Sequence, residues 1–181
     1  MARLASPVDD GLAHELKAIP SAGLAVVALG YDASLLPEPL DGFGFLVPRS
    51  EGARVLGMLW DSSIYPGRAP DGRVLLRAMI GGARDEDAVR LDEDALLEVV
   101  RRDLRTTMRI EAEPEFVRVF RHPLGIPQYV VGHLGRLDRI EAHLLRHPGL
   151  FVAGNGYRGV AIGACVAEAG PLAHRILTPP A

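Results

Sequence analysis

The stretch 22-AGLAVVALGY-31 is the first of four strand-like segments that together predict a β-sheet. Apolar and β-branched residues dominate it, as is typical of strands in a sheet. Three further segments of this kind follow at residues 42–48, 53–62 and 73–81. Short turns rich in proline and glycine separate the four segments: 37-PEPLDG-42, 48-PRSEG-52 and 66-PGRAPDG-72. Consecutive strands joined by short turns predict an antiparallel sheet.

Helices are predicted to flank this sheet. Residues 91–108 have the clearest helical pattern, since their apolar residues recur on one face: Ala95, Leu96, Val99, Val100, Leu104 and Met108. Other segments predict helices over 7–19, 134–145 and 159–177, strands over 116–120 and 150–153, and a proline-bounded loop over 122–129. The predicted fold class is α+β: a mixed or antiparallel sheet with flanking helices, plus the strand, loop and helix of a second layer.

Composition limits the classes of function. The chain has 181 residues, 48% of them hydrophobic, as expected for a folded globular protein. A net charge of −3 gives no electrostatic argument for nucleic acid binding. The longest apolar run, at residues 24–29, is far shorter than the roughly 20 residues of a membrane-spanning helix. We expect a cytoplasmic protein, with peripheral membrane contact left open.

The glycine-rich loop in 151-FVAGNGYRGVAIG-163 is the first candidate site. Gly154, Gly156 and Gly159 form the pattern G-x-G-x-x-G between an apolar run and a predicted helix. Glycine lets a backbone approach a ligand closely, and a helix N-terminus offers free N–H groups and a positive dipole end. The pattern differs in context from a dinucleotide fingerprint, because too few residues follow Gly159 for a βαβ unit. An ordinary strand-to-helix turn is the alternative.

Other reactive residue types predict no metal site. His143 and His147 lie four residues apart, but no third ligand is near them in the sequence. Cys165, the single cysteine, is expected to be a structural thiol among the apolar residues of the last predicted helix. No residue pattern indicates a catalytic side chain.

Five segments in sequence order carry a resemblance to a known family: 42-GFGFLVP-48, 60-WDSSIYPGRAP-70, 80-IGGARD-85, 126-IPQYVVGH-133 and 153-AGNGYRGVAIGACV-166. The chain resembles the C-terminal portion of the protoporphyrinogen/coproporphyrinogen oxidase family, flavin enzymes of haem biosynthesis. The resemblance runs from about residue 23 to the C-terminus. It implies an FAD-dependent oxidoreductase that dehydrogenates protoporphyrinogen IX or coproporphyrinogen III to the porphyrin.

The resemblance also implies the site residues. Residues 1–121 would be a portion of the substrate-binding domain, and residues 122–181 the C-terminal portion of the FAD-binding domain with its closing strand and helix. Leu46 and Tyr65 would line the porphyrinogen pocket, and Arg68 and Arg77 are open between pairing with propionates and lying in solvent. The implied cofactor contacts are His122, Gly154, Gly156, Val160, Ala161 and Ile162. His122 stands where many members carry tryptophan.

One departure from the family limits this expectation. Members begin with a glycine fingerprint that holds the ADP half of FAD, and no such pattern precedes Gly154 here. The chain could be a truncated reading frame, a split subunit with an N-terminal partner chain, or a fragment, and we expect no turnover by it alone. A related flavin amine oxidase-like or carotenoid desaturase-like protein and a non-catalytic orphan fragment stay open as alternatives.

Overall fold

The computed structural model describes residues 1–178 as a mixture of helices and strands. The helices are α1 (Ala2–Ala5), α2 (Asp10–Lys17), α3 (Asp61–Ile64), α4 (Glu93–Met108), α5 (His133–Leu144) and α6 (Ile162–Leu177). The strands are β1 (Ser21–Asp32), β2 (Gly44–Leu46), β3 (Val55–Leu59), β4 (Arg73–Gly81) and β5 (Phe116–Pro127). Short 3-10 turns lie at Ala33–Leu35, Arg49–Glu51 and Glu86–Arg90.

The five strands form one sheet in the order β2-β3-β4-β1-β5. The pairs β1–β4, β3–β4 and β2–β3 are antiparallel. The predicted α+β class with an antiparallel sheet is therefore confirmed.

One face of the sheet is buried because α4 packs against it. Asp92 caps the start of α4 by accepting a hydrogen bond from Ala95 N at 2.8 Å, and the apolar stripe of the helix then faces the strands. Alternate residues of β1 and β4 complete this core, which includes Val27, Leu29, Leu76, Ala78, Ile80, Leu96, Val100 and Leu104. The opposite sheet face lacks such a cover from α4, and its apolar residues are partly exposed.

The chain divides into two compact units. One comprises Ala22–Gly125 and holds most of the sheet with α3 and α4; the other comprises Met1–Ser21 and Ile126–Ala181. The second unit has its own core, in which Leu12 and Leu16 of α2 pack with Leu137 and Ile140 of α5. The division into substrate and cofactor domains near residue 121 stays a prediction, because compactness does not show what each unit binds.

The sequence-based segments need three corrections. Residues 150–153 are not a strand: no strand within residues 1–178 pairs with them, and Leu150 and Val152 pack on the second core instead. Residues 122–127 are not a loop but extend β5, which lies at the sheet edge, where Pro123 costs no ladder hydrogen bond. The strand predicted over 53–62 ends at Leu59, because the residues after Trp60 form α3.

Within residues 1–178, no helix combines the length and the apolar character needed to cross a membrane.

Candidate functional site

The glycine loop at residues 154–159 is a tight turn that leads into α6. Gly154 has φ of +103° and Gly159 φ of +68°, in the region that side chains with a Cβ rarely adopt. Tyr157 N and Arg158 N donate to the Gly154 carbonyl oxygen at 2.9 and 3.0 Å and close the turn. A Cβ at Gly159 would also collide with the Ala164 Cβ, so the loop lies directly on the first turn of α6.

The start of α6 presents backbone N–H groups that no side chain caps. Ala161 is the N-cap residue in an extended conformation, and its side chain offers no acceptor. Cys165 N donates to the Ala161 carbonyl oxygen at 3.0 Å as the helix begins. The N–H groups of residues 162–164 come before the first intrahelical hydrogen bond and have no acceptor within the helix. The positive end of the helix dipole therefore faces outward at this point. This arrangement suits a ligand with negatively polarised oxygens.

A cavity of about 310 Å³ lies at this helix start. Its lining brings together three residues of the predicted cofactor site, Val160, Ala161 and Ile162, with Asn155 and Cys165 among the others. Gly154 and Gly156 shape the loop and do not line the cavity. His122 is an exposed residue of β5 in the Ala22–Gly125 unit, whereas the cavity belongs to the other unit.

Tyr129 and His133 hold the glycine loop, a role that sequence reasoning missed. The rings stack at a centroid distance of 4.0 Å with planes 8° apart. The Tyr129 hydroxyl donates to the Asn155 carbonyl oxygen at 2.7 Å, and His133 Nε2 lies 3.2 Å from the Tyr157 carbonyl oxygen. Burial raises the pKa of the Tyr129 phenol, with a smaller effect from Cys165, so the phenol stays protonated as a donor. The i, i+4 spacing in 129-YVVGH-133 was the available signal.

The buried side chain of Tyr157 also connects the glycine loop to α5. Its hydroxyl donates to Glu141 Oε1 of α5 at 2.6 Å. Burial first, and the hydrogen bond to Glu141 second, raise the pKa of Tyr157 to about 12. Two loop carbonyls, those of Asn155 and Tyr157, and the Tyr157 side chain are thus tied to α5 and the residues just before it.

The sheet face turned away from α4 is the second candidate surface, and we call it the open face. Strand register places its residues in rows, since cross-strand partners share a face. One row runs from Leu46 through Gly57 and Met79 to Val26, and the next runs through Gly44, Leu59, Arg77 and Ala28. Leu46 lies over Gly57, where a Cβ would approach Leu46 Cδ2 to 2.8 Å, yet Leu46 remains 76% exposed.

The loop that contains Tyr65 joins α3 to β4, and its residues 68–70 lie near Leu75 and Phe116. Tyr65 N donates to the Asp61 carbonyl oxygen at 3.0 Å, so the ring follows directly on α3. The Arg68 guanidinium carbon stacks 5.5 Å from the centroid of this half-exposed ring. A cavity of about 430 Å³ lies beneath residues 68–70, with Gly30, Leu75 and Phe116 among its lining residues. Leu46 is therefore a residue of the open face, whereas Tyr65 lies in the loop between α3 and β4 and belongs to none of its rows.

The remaining candidates make contacts within the fold. His143 and His147 both contact the Asp9 carboxylate, at 2.9 and 3.0 Å, and Arg146 adds a third contact. Residues 1–178 contain no group of three or more His, Cys, Asp or Glu arranged to hold a metal ion. The partly buried Cys165 thiol donates to the Gly159 carbonyl oxygen at 3.4 Å, and its purely structural role stays a prediction.

Comparisons with known proteins agree with these features. Residues 2–177 match the family model described as flavin-containing amine oxidoreductase. The chain is 42% identical to the chloroplastic protoporphyrinogen oxidase of Nicotiana tabacum, over 80% of this chain and 27% of that protein. It is 35% identical to the coproporphyrinogen III oxidase of Bacillus subtilis (strain 168), over 83% of this chain and 32% of that protein.

Solved structures give the same result. A crystal structure of a candidate protoporphyrinogen oxidase from Exiguobacterium sp. 255-15 superposes with a TM-score of 0.76 at 29% identity, covering 90% of this chain and 36% of that one. The resemblance predicted from the five segments is therefore confirmed. The chain spans about a third of the length of the relatives that it matches. On the family match over residues 2–177, the chain belongs to the flavin-containing amine oxidoreductases.

Proposed function

We propose that this chain is the C-terminal part of an FAD-dependent porphyrinogen oxidase, which dehydrogenates protoporphyrinogen IX or coproporphyrinogen III to the porphyrin. The observation that carries the proposal is the uncapped start of α6 against the glycine loop, in a chain whose relatives include oxidases of both porphyrinogens. In this reading the chain contributes one part of the flavin site and the open face for the substrate.

The residues at the start of α6 fit a flavin. The uncapped N–H groups after Ala161 offer donors to carbonyl oxygens of the ring or to hydroxyls of the ribityl chain, and a reduced flavin's negative charge is stabilised by such donors. Val160, Ala161 and Ile162 line the cavity, and Gly154 shapes the turn beside it through its φ of +103°. Gly154 and Gly156 are retained as proposed contacts. FAD, when bound, supplies the hydride-accepting chemistry. His122 is the least supported contact in this set, and we retain it as a proposal.

The open face fits the substrate class. A tetrapyrrole is broad and apolar apart from its acid side chains, and it needs an extended apolar surface. Glycines flatten this face: Leu46 lies over Gly57, and Phe116 lies over Gly30, where a Cβ would come within 3.1 Å of the Phe116 Cβ. Tyr65 is half-exposed, and we propose that its ring packs on the tetrapyrrole. No side chain of the chain is proposed as a general base, since the cofactor carries the chemistry.

We also propose a partner for the exposed apolar residues of α6. This 16-residue helix has no buried residue, although Ile162, Val166 and Leu177 are 86, 68 and 81% exposed. Relatives are about three times as long as the matched region, so polypeptide carrying the ADP-binding glycine unit is the proposed cover, in cis or as a separate chain. The proposed location is cytoplasmic, with peripheral membrane association.

A chimeric enzyme tests the proposal. This chain would replace the matched 152-residue segment of the Bacillus subtilis coproporphyrinogen III oxidase, and porphyrin fluorescence would report turnover of both porphyrinogens. We expect bound flavin and porphyrin formation. Flavin retention with amine oxidation and no porphyrin would instead favour a related flavin amine oxidase. A folded chimera that retains flavin but oxidises neither class would favour a non-catalytic product.

A further inference from the structure

Arg77 is a charged residue among the apolar and glycine positions that β2, β3 and β1 contribute to its row of the open face. It lies on the central strand β4, between Leu59 of β3 and Ala28 of β1. Leu75 and Met79 flank it along the same face, because side chains two residues apart in a strand point the same way. An arginine is unusual in the middle of an apolar surface, because burying its charge costs free energy unless water or a hydrogen-bonding partner solvates it.

Asp61 holds this guanidinium in place. Asp61 Oδ1 accepts a hydrogen bond from Arg77 Nη2 at 2.6 Å, and the Asp61 side chain is only 11% exposed. The Arg77 side chain remains 39% exposed, so its outer edge is open to a ligand. Arg77 Nε is buried and has no hydrogen-bond partner within residues 1–178. A guanidinium has five N–H donors, and this one therefore has donors to spare.

Nearby arginines differ from Arg77 in this respect. Arg73 lies on the same strand, but Asp32 and Glu115 contact it at 2.8 and 2.7 Å and so neutralise it. Arg68 is exposed in a loop, where it stacks on Tyr65. Arg118 also points to the open face, but it is an exposed residue of the edge strand β5. Arg77 combines a position on the central strand, fixed by Asp61, with a partly open guanidinium edge.

We propose that Arg77, positioned by Asp61, binds an ionised carboxylate arm of the substrate and makes the open face selective for tetrapyrroles with free acid side chains. This inference rests on the proposed function of the open face. Planar guanidinium and carboxylate groups pair through directed hydrogen bonds. Because Asp61 already offsets the charge of Arg77, the selectivity comes from these directed bonds and is modest, about tenfold for a hydrogen bond to a charged group.

The test compares the binding of a free acid and its ester. Coproporphyrin III, a stable oxidised probe, and its tetramethyl ester would be titrated into the 181-residue chain in one detergent buffer, with fluorescence as the readout. We expect the wild-type chain to bind the acid about tenfold more tightly than the ester. Arg77→Met removes that preference, so that the variant binds the acid and the ester with about equal affinity. Arg77→Lys retains part of it, because a lysine keeps the charge but loses the planar fork.

Arg84→Met is the matched control, since Arg84 is an exposed arginine of the same unit. It should keep the full preference for the acid. Thermal unfolding of each variant checks that it is folded. If Arg77→Met does not fold, the acid preference of Arg77→Lys, which should lie below that of the wild-type chain, tests the proposal.

Two adverse results differ in meaning. Equal acid preference in the wild-type, Arg77→Met and Arg77→Lys chains, or wild-type binding of acid and ester with equal affinity, overturns the role of Arg77 and leaves the porphyrin-binding face standing. A wild-type chain that binds neither probe overturns the proposed substrate face and this inference with it.

Discussion

The Tyr129 hydroxyl donates a hydrogen bond to the backbone carbonyl oxygen of Asn155 at 2.7 Å. This bond ties the residues before α5 to the glycine loop, although 26 positions separate the two in sequence. The stacked ring of His133 supports Tyr129 from the first turn of α5. The loop at the proposed flavin edge is therefore held by an aromatic pair rather than by a sheet.

Tyr129→Phe should weaken this support while keeping the ring stacking. The Asn155 carbonyl loses one donor, so we expect the free energy of unfolding to fall by about 1 kcal/mol. Urea denaturation followed by circular dichroism measures the change. Tyr65→Phe is the control, because Tyr65 is half-exposed and has no hydroxyl hydrogen bond recorded within residues 1–178. Equal free energies of unfolding for the two variants would show that the hydrogen bond from Tyr129 to Asn155 does not stabilise the loop.

Gly159→Ala should be strongly destabilising. The φ of +68° costs about 1–2 kcal/mol for a residue with a Cβ, and the new methyl group collides with Ala164. Gly163→Ala makes the same chemical change inside α6, where no atom lies within 4 Å of the added Cβ. It should be neutral or stabilising by roughly 0.5–1 kcal/mol. Urea unfolding measures both variants. A Gly163→Ala variant that is less stable than Gly159→Ala would contradict the described loop.

Asp9 should contribute a pH-dependent part of the stability. His143 chiefly, then the Leu12 N–H, His147 and Arg146, hold the pKa of the Asp9 carboxyl well below its usual range. A carboxyl with a lowered folded-state pKa stabilises the fold above its unfolded pKa of about 3.9. That contribution is lost as the pH falls toward the folded-state value.

Asp9→Asn tests this dependence. The Tm difference between the wild-type chain and Asp9→Asn should be full at about pH 5 and shrink steadily below about pH 4. Asp138→Asn, at an exposed position of α5, controls for the loss of one acidic residue and should change Tm little. A difference that stays constant across the acid range would show that Asp9 is not stabilised by these partners.

Asp103 should be the most sensitive polar position in the Ala22–Gly125 unit. Its buried carboxylate accepts hydrogen bonds from Arg54 N and Val55 N at 2.7 and 2.9 Å, at the start of β3. Asp103→Ala leaves both donors unpaired and should lower the free energy of unfolding by about 2 to 3 kcal/mol. Asp103→Asn keeps an oxygen acceptor and should lower it less. Chemical denaturation of the pair measures this, and equal losses would contradict the acceptor role.

The sheet could be predicted from sequence because its strands carry local signals. The segment 73–81 alternates and is bounded by turns, and β4 occupies the same range. Residues 150–153 have an equally apolar composition, but a strand also needs a partner, which composition does not report. The extension of β5 past Pro123 likewise depends on its edge position.

The sequence predicted only those parts of the candidate site whose residues are close together in the chain. Val160, Ala161 and Ile162 are adjacent in sequence and meet at one cavity. The support of the loop by Tyr129 and the pairing of Arg77 with Asp61 join residues 26 and 16 positions apart. Such pairs follow from how strands and helices pack, and no local pattern in a single sequence marks them.

We propose that this chain completes a flavin-dependent porphyrinogen oxidase. The most direct measurement mixes the purified chain with the Bacillus subtilis coproporphyrinogen III oxidase lacking its matched segment, adds FAD, and follows bound flavin absorbance and porphyrin fluorescence after gel filtration. The native Bacillus subtilis segment serves as the positive control. We predict that this chain restores both signals, as the native segment does. Restoration of flavin and porphyrin by the native segment, with neither restored by this chain, would contradict the claim.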